Sequence, residues 1–521
     1  MARILALFIL FLALLPLACE RSPALPVADP PPADTLRFDV FNAFHSLNPK
    51  EIECTGASWI FPLLFSTLAR INPEGRLEPD LARSWHYDRE NRTLRIDLRR
   101  HAKFHDGMPV TSGDVIFSIH RQIEGLFRDA KRAILTIDPI SKHALKIVLS
   151  HDDPGFFDLI HKTMILPRHV SMASHRDHPL GSGPYRFDEK LDDQNIRLSA
   201  FHDYYGGRPA IEHVLFTHVT DMEQTWTRLL AGKTDIAVRL APDNLHRMKF
   251  IQQRFHINQS PSWFCKTLLF NTADPRLADV RVRRALSLGI DRDHMVEKIL
   301  MGYGRVATGP LGLDSPYGRS DRPPRPYDPV KARELLNDAG WKKDTATGIC
   351  QKDGLGLEFD LLYMQESSID ERVVRFIQLC LDELGVRVRP VPVDYATFRQ
   401  SFYGNTAFQA VLTETMGLYD SHTPLLIAWM PPERGCSNMG GFTSPRITEL
   451  LMALEDAGAI QAQQAICQAV EDRLLALQPA AFLYQPTEID VVSKRIYLPH
   501  AFAADTGSVR RLYQAQIRPR R

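Results

Sequence analysis

The sequence predicts a mixed α/β protein, and three stretches carry that expectation. LRIDLRRHAKF (94–104) alternates apolar and polar residues as a half-buried strand does. YDPVKARELLNDAGW (327–341) carries an inner stripe of Ala332, Leu335, Leu336 and Ala339 at helical spacing. Its ends are marked by Asp328 as cap, Pro329 at the first helical position and Gly340 at the left-handed stop. ERVVRFIQLCLDELGVRVRPVPV (371–393) reads as a helix, a glycine stop at Gly385 and then a β-rich strand. Strands and helices alternate in this manner over most of the chain, and no tandem repeat is present.

From the N-terminus, MARILALFILFLALLPLAC has one basic residue, an apolar run from Ile4 to Leu15 and small residues before Cys19. That is the plan of an export signal over 1–19, with an apolar run too short to anchor comfortably across a bilayer. Pro16-Leu17-Ala18-Cys19 resembles a bacterial lipobox, which makes Cys19 the expected lipidation site. It departs from the usual pattern at Pro16, where Leu is expected, and ordinary secretion with cleavage nearby is the alternative. Residues 20–34, rich in Pro and Ala, suit an extended, flexible tether.

KFHDGMPVTSGDVIFS (103–118) gathers His105, Asp106, Thr111, Ser112 and Asp114 within a dozen positions. Each has a local structural role. His105-Asp106-Gly107 makes a turn after a strand. Thr111 caps a helix with Asp114 three residues on, as in a capping box, and Val115, Phe117 and Ile119 then face inward. Further on, RVRRALSLGI (281–290), continuing through HMVEKIL, is a second helical stretch.

The chain is 521 residues long, enough for about two to four structural units. With 44% hydrophobic and 24% charged residues it has ample material for a core, and its formal net charge of +1 gives no basic excess for nucleic acid. Beyond Cys19, cysteines stand at 54, 265, 350, 380, 436 and 467. None has CxxC or metal-finger spacing, which argues against a structural zinc cluster, while an exported chain permits disulfides.

Joined together, these blocks resemble the family 5 solute-binding proteins of bacterial ABC transporters, the peptide- and nickel-chelate-binding lipoproteins. PDLARSWHYD and TLRIDLRRHAKFHDGMPVTSGDVIFS (within 79–118) match its signature block. GSGPYRF (181–187), DYYGGRPAIEHVLF (203–216), LLAGKTDIA (229–237) and NTADPRLADVRVRRALSLGIDR (271–292) follow in order. So do GYGRVATGP (302–310), YDPVKARELLNDAGW, LDELGVRV (381–388), GGFTSPRITELL (440–451) and FLYQP (482–486). The resemblance runs over roughly residues 35–500. It implies a type II (cluster C) periplasmic-binding-protein fold, with two α/β lobes, a hinge and an extra domain inserted in lobe I. Lobe I then comprises 35–50, 182–270 and 480–515; the inserted domain is 51–181, and lobe II is 271–479.

The same resemblance directs attention to MGLYDSHTPLL. Peptide-binding members neutralise the ligand's α-amine with an acid four residues before a proline. Here the proline is Pro424 and the acid Asp420. An ammonium held in a dry cleft needs an anionic hydrogen-bonding partner. The Trp usual three residues before that acid is replaced by Gly417; Tyr419 and Trp429 are nearby aromatics that could supply its packing. His422 is the candidate for a metal–chelate ligand. Arg372, with Arg375 beside it, lies in the right region to meet a ligand carboxylate, although a solvated helix face is the simpler role.

Several motifs are rejected. AGKTD (231–235) lacks the earlier glycine of a phosphate loop, since position 227 is Thr, and reads as a helix end before a strand. GSGPY (181–185) is not a GxSxG elbow. His161, His169, His175 and His178 form a loose histidine-rich stretch whose simpler role is surface. No cofactor, resident metal or catalytic residue is expected. The expectation is a monomeric, lipid-anchored binder in the periplasm or at the extracytoplasmic face, serving an inner-membrane ABC permease and its ATPase. Its solute is a peptide or peptide-like molecule; a nickel chelate is the alternative, and an extracytoplasmic hydrolase using His105 and Asp106 the more distant rival.

Overall fold

The computed structural model describes residues 34–518 with interruptions, chief among them 124–132, 401–407, 417–424, 431–440 and 500–508. The expected signal and all but the last residue of the tether lie outside the described residues, as do Cys54 and Cys436.

After a first strand, β1 (Thr35–Val40), the chain forms β2 (Ala82–Asp88), β3 (Thr93–Leu98), helix α1 (Ser112–Ile123), β4 (Ile134–Ser141) and β5 (Ala144–Leu149). β2 to β5 make a separate antiparallel sheet in the order β2-β3-β5-β4. Its inward face buries Leu94, Ile96, Leu145 and Ile147 against Phe104, Val115 and Ile119. The predicted strand over 94–104 ends at Leu98. There the Arg99 N–H bonds to the Leu81 carbonyl, and the chain leaves the sheet for the Phe104–Met108 turn.

The chain returns through β6 (Tyr185–Lys190), β7 (Asn195–Ala200), β8 (His213–His218), α2 (Met222–Leu230) and β9 (Ile236–Ala237). β10 (Phe255–Pro261) and β11 (Phe264–Phe270) come next, then α3 (Val280–Leu288), β12 (Gly304–Val306), α4 (Pro329–Asp338) and β13 (Glu358–Met364). α5 (Ser368–Asp382), β14 (Arg387–Val393), β15 (Ala410–Met416), α6 (Ile460–Leu477) and the long β16 (Ala480–Ser493) complete the frame. The expected caps are in place. Asp328 accepts from the Lys331 N–H, and Gly340 and Gly385 have φ of +89° and +80°. α5 starts at Ser368, three residues before the sequence reading, because Ser367 caps it on the Asp370 N–H.

One twelve-stranded sheet runs β14-β13-β15-β11-β16-β9-β1-β8-β7-β6, with β10 and β12 also pairing on β16. β11, read as FCKTLLF, is buried at almost every position because both of its faces are covered. Leu268 and Phe270 enter a core with Phe359, Leu361 and the inner faces of α3, α4 and α5. Leu269 joins Val411, Phe482, Val470 and Leu474 on the α6 side. Each large side chain buried this way contributes about 1.5–3 kcal/mol. At the other end, Leu36, Phe38, Val214 and Phe216 form a core with Ile60, Leu63 and Leu64.

Segments near the expected domain boundaries pack as follows. Segments 264–270 and 480–484, expected in lobe I, fill cores of the C-terminal half because β11 pairs there with β15. Ile60–Phe65, expected in the inserted domain, packs under β1 and β8. Gly181 and Gly183 make that docking feasible: a Cβ on either would lie 2.0 Å and 2.2 Å from the Leu64 and Leu63 carbonyl oxygens. Asp80, buried, ties the small sheet to the rest through the Tyr205 hydroxyl (2.7 Å) and the Arg510 guanidinium. Cys265, Cys350, Cys380 and Cys467 are buried free thiols.

Candidate functional site

β1 runs parallel to β8 and β9, and β13 runs parallel to β14 and β15. In open α/β sheets, ligands bind outside the carboxyl ends of parallel strands. The two parallel groups meet at those ends. Arg239, two residues beyond β9, places Nη2 3.2 Å from Oε2 of Glu414 near the end of β15. Among the described residues, two connections cross between the groups in this part of the sheet. β10 continues into β11 across Ser262, and β16 pairs with β11 over Ala480–Tyr484 and with β10 over Thr487–Ser493. Ser262 is stitched to β16 at the crossing: its N–H donates to the Pro486 carbonyl and its hydroxyl to Glu488.

Charged side chains line this crossing. Lys266 on β11 stands in register between Tyr484 of β16 and Glu414 of β15, so the three share one face of the sheet. Its ammonium lies 2.8 Å from Asp370 in the first turn of α5 and 3.2 Å from Glu414. Arg239 adds a contact to Glu488 at 3.3 Å, and its guanidinium covers the Phe264 ring at 5.0 Å. Its backbone, at φ +55°, donates to the buried Asp490. Burial pushes the Glu414 carboxyl up, but Lys266 and Arg239 more than offset this and hold it at about 2. Burial dominates at Asp370 and Glu488, whose pKa values are raised despite Lys266 and Arg239. The Tyr484 hydroxyl is buried here and makes no hydrogen bond among the described residues.

Asp420, Tyr419 and His422 lie outside the described residues, in the segment 417–424 that directly follows β15. Trp429 is 3% exposed and packs edge-on against Phe442 in the α6-side core. Arg372 projects from the exposed face of α5, opposite the buried Asp370, Val373 and Val374. Arg375 on that face pairs with Glu371 at 3.8 Å. The Lys266–Glu414 row went unread in the sequence. Its signal was one charge inside each of two apolar strands, FCKTLLF and AVLTETM.

The 103–118 motif is structural. His105 Nε2 is 3.1 Å from the Gly183 carbonyl and Nδ1 accepts the Gly181 N–H, an arrangement that uses up a neutral imidazole. Burial lowers its pKa to about 4. Asp106 accepts from the Met108 N–H and meets His169 at 2.7 Å. The Asp114 carboxylate reaches back to the Thr111 N–H, but the Thr111 hydroxyl donates to that carboxylate, so the capping box is half of the expected one. His175 is fully buried, where a surface position was expected, with Nδ1 accepting the Leu180 N–H. Among the described residues no three His, Cys, Asp or Glu gather as a metal site, and no helix is long and apolar enough to cross a membrane.

The family model described as "Bacterial extracellular solute-binding proteins, family 5 Middle" matches residues 76–435. The chain belongs to family 5 of the bacterial extracellular solute-binding proteins. As a family 5 protein it is a solute binder and not an enzyme. The oligopeptide-binding protein AppA of Bacillus subtilis is 26% identical over 375 residues, 68% of this chain and 67% of that one. A putative ABC transporter peptide-binding protein of Brucella ovis is 26% identical over 63% of each chain, just under two thirds of its length. The nickel-binding periplasmic protein of Escherichia coli is 24% identical, over 69% of this chain and 71% of its own.

Among solved structures, Campylobacter jejuni NikZ with Ni(L-His) matches with TM-score 0.84 at 24% identity, covering 93% of this chain and all of that one. B. subtilis AppA with a nonapeptide matches with TM-score 0.81 at 21% identity, covering 93% and 99%. The fold is therefore that of the type II periplasmic binding proteins.

Proposed function

We propose that this family 5 protein captures di- or oligopeptides or peptide-like solutes outside the cytoplasm and hands them to an inner-membrane ABC permease and its ATPase. The observation that carries the proposal is the pair of adjacent crossings, β10–β11 and β16, between two groups of parallel strands whose carboxyl ends meet. Two extended connections bend more readily than a packed core, so the groups act as lobes that close on a solute. A ligand touching both lobes only when they are closed shifts the open–closed equilibrium by its differential affinity. Asp420, four residues beyond β15, is the proposed partner of the solute's ammonium. Tyr419, His422 and Arg372 are further ligand candidates, and buried Trp429 would act by packing beneath them. Relatives named for oligopeptides and for peptides support the solute class. Small-angle scattering with and without a peptide mixture tests closure. Compaction with peptide, weakened in Asp420→Asn, is expected; no compaction with any bound solute overturns the proposal.

A nickel chelate is the second reading, favoured by the nickel-binding relative and by His422. Elemental analysis of purified protein, with loss of binding in His422→Ala, would select it over peptides. The protein is proposed to act as a monomer tethered through a lipidated Cys19. Fatty-acid labelling that persists in Cys19→Ser would refute the tether.

A further inference from the structure

The last carbonyls of α6 turn toward three arginines from elsewhere in the chain. Arg283 donates to Leu477 and Gln478, Arg284 to Ala476, and Arg325 to Leu475. Cations are favoured at a helix C-terminus, and this capping accounts for one edge of each guanidinium. It leaves unexplained what the remaining edges of Arg284 and Arg325 face. They line an open cavity of about 470 Å³ together with Lys331. Among the described residues neither arginine has a carboxylate partner, and Lys331 pairs with Glu334 at 2.8 Å. Asp328 and Asp338 also lie close enough to act on Lys331, while among the described residues Arg284 and Arg325 have no such acid. Burial, and then repulsion from Arg284, pulls the Arg325 pKa below its ordinary value. The rest of the wall is Leu288, Leu335, Leu475 and Ala476.

We propose that this cavity binds the phosphate of an organic phosphate ester whose apolar part lies on the leucines. Donors converging from α3, α4 and the segment before α4 suit a tetrahedral group with several exposed oxygens, whereas one guanidinium fork already satisfies a planar carboxylate. The volume is of the order that holds one small organic molecule. None of these residues belongs to the Lys266–Glu414 row or to the ligand candidates proposed around Asp420.

Titration calorimetry of the full chain with hexyl phosphate tests the soluble source. Flotation with phosphatidylcholine vesicles, with and without phosphatidylglycerol, tests a lipid headgroup. Saturable heat or phosphatidylglycerol-dependent flotation is expected, weakened about tenfold in Arg325→Gln and about threefold in Lys331→Gln. Hexanol, which lacks the phosphate, should give no heat. Lys331 is exposed, so its variant keeps the test decisive if Arg325→Gln fails to fold. Absence of both signals, signals undiminished in the folded variants, or hexanol binding as tightly as hexyl phosphate would overturn the proposal.

Discussion

Lys266 and Glu414 stand directly opposite one another on adjacent antiparallel strands, their charged atoms 3.2 Å apart. The pair is separated by 148 positions in sequence, and Asp370 completes it from a third element. Removing the ammonium leaves two carboxylates in a mostly buried place. Lys266→Met should therefore cost about 3 kcal/mol of unfolding free energy in urea titration. The double variant with Glu414→Gln should lose less than the sum of the single losses. A loss under about 1 kcal/mol for Lys266→Met would mean the row is solvated.

Arg239 makes ion pairs on both sides of the strand crossing, yet its side chain is 40% exposed. Arg239→Gln should accordingly change stability by less than about 1 kcal/mol. Its expected effect is on shape: the unliganded protein should scatter with a larger radius of gyration than the parent. An unchanged radius would assign Arg239 to local packing alone.

Two kinds of glycine should respond differently to alanine. At Gly181 a Cβ meets backbone at 2.0 Å, so Gly181→Ala must displace the Leu64 segment and should cost several kcal/mol, on the order of 3 or more. Gly107 has φ +86° with open space around it, so Gly107→Ala should cost only about 1 kcal/mol. Thermal melts of both variants give the ordering; equal losses would contradict the close approach.

Glu471 on α6 is 2% exposed at its side chain, with Oε2 3.3 Å from Arg322. Burial raises its pKa to about 7 despite that arginine, with Asp472 adding to the rise. Between about pH 4.5 and 7 the folded protein keeps a proton that the unfolded chain has released, so this group's contribution to stability falls as pH rises through that window. Glu471→Gln should flatten that part of the profile and be more stable than the parent near pH 8. Parallel denaturation midpoints near pH 5 and pH 8 for parent and variant would show the carboxyl is already ionised.

Elements set by neighbours in sequence were legible. Asp328 and Gly340 bound α4 as read, and Gly385 stops the chain after α5. So were the acids of the 103–118 stretch, since Asp106 and Asp114 accept from the nearby Met108 and Thr111 N–H groups; His105 instead bonds to Gly181 and Gly183, far along the chain. Features set by distant pairing were not. Nothing local to FCKTLLF tells that Lys266 faces Glu414 or that β11 belongs with the later strands. The strand read through residue 104 failed for a related reason: its ladders to β2 and β5 stop by Leu98, and Lys103 makes a separate, isolated bridge to Pro109. At the ligand segment the resemblance pointed to Asp420, Tyr419 and His422, outside the described residues, and to Trp429, which the fold uses as core.

β16 is supplied by residues 480–493, near the end of the chain, yet it sits in the middle of the great sheet. Until that strand is in place, β9, β10 and β11 are left with open hydrogen-bonding edges, and apolar cores on both flanks lack a wall. A polypeptide cut short before residue 480 should therefore aggregate instead of yielding one working half.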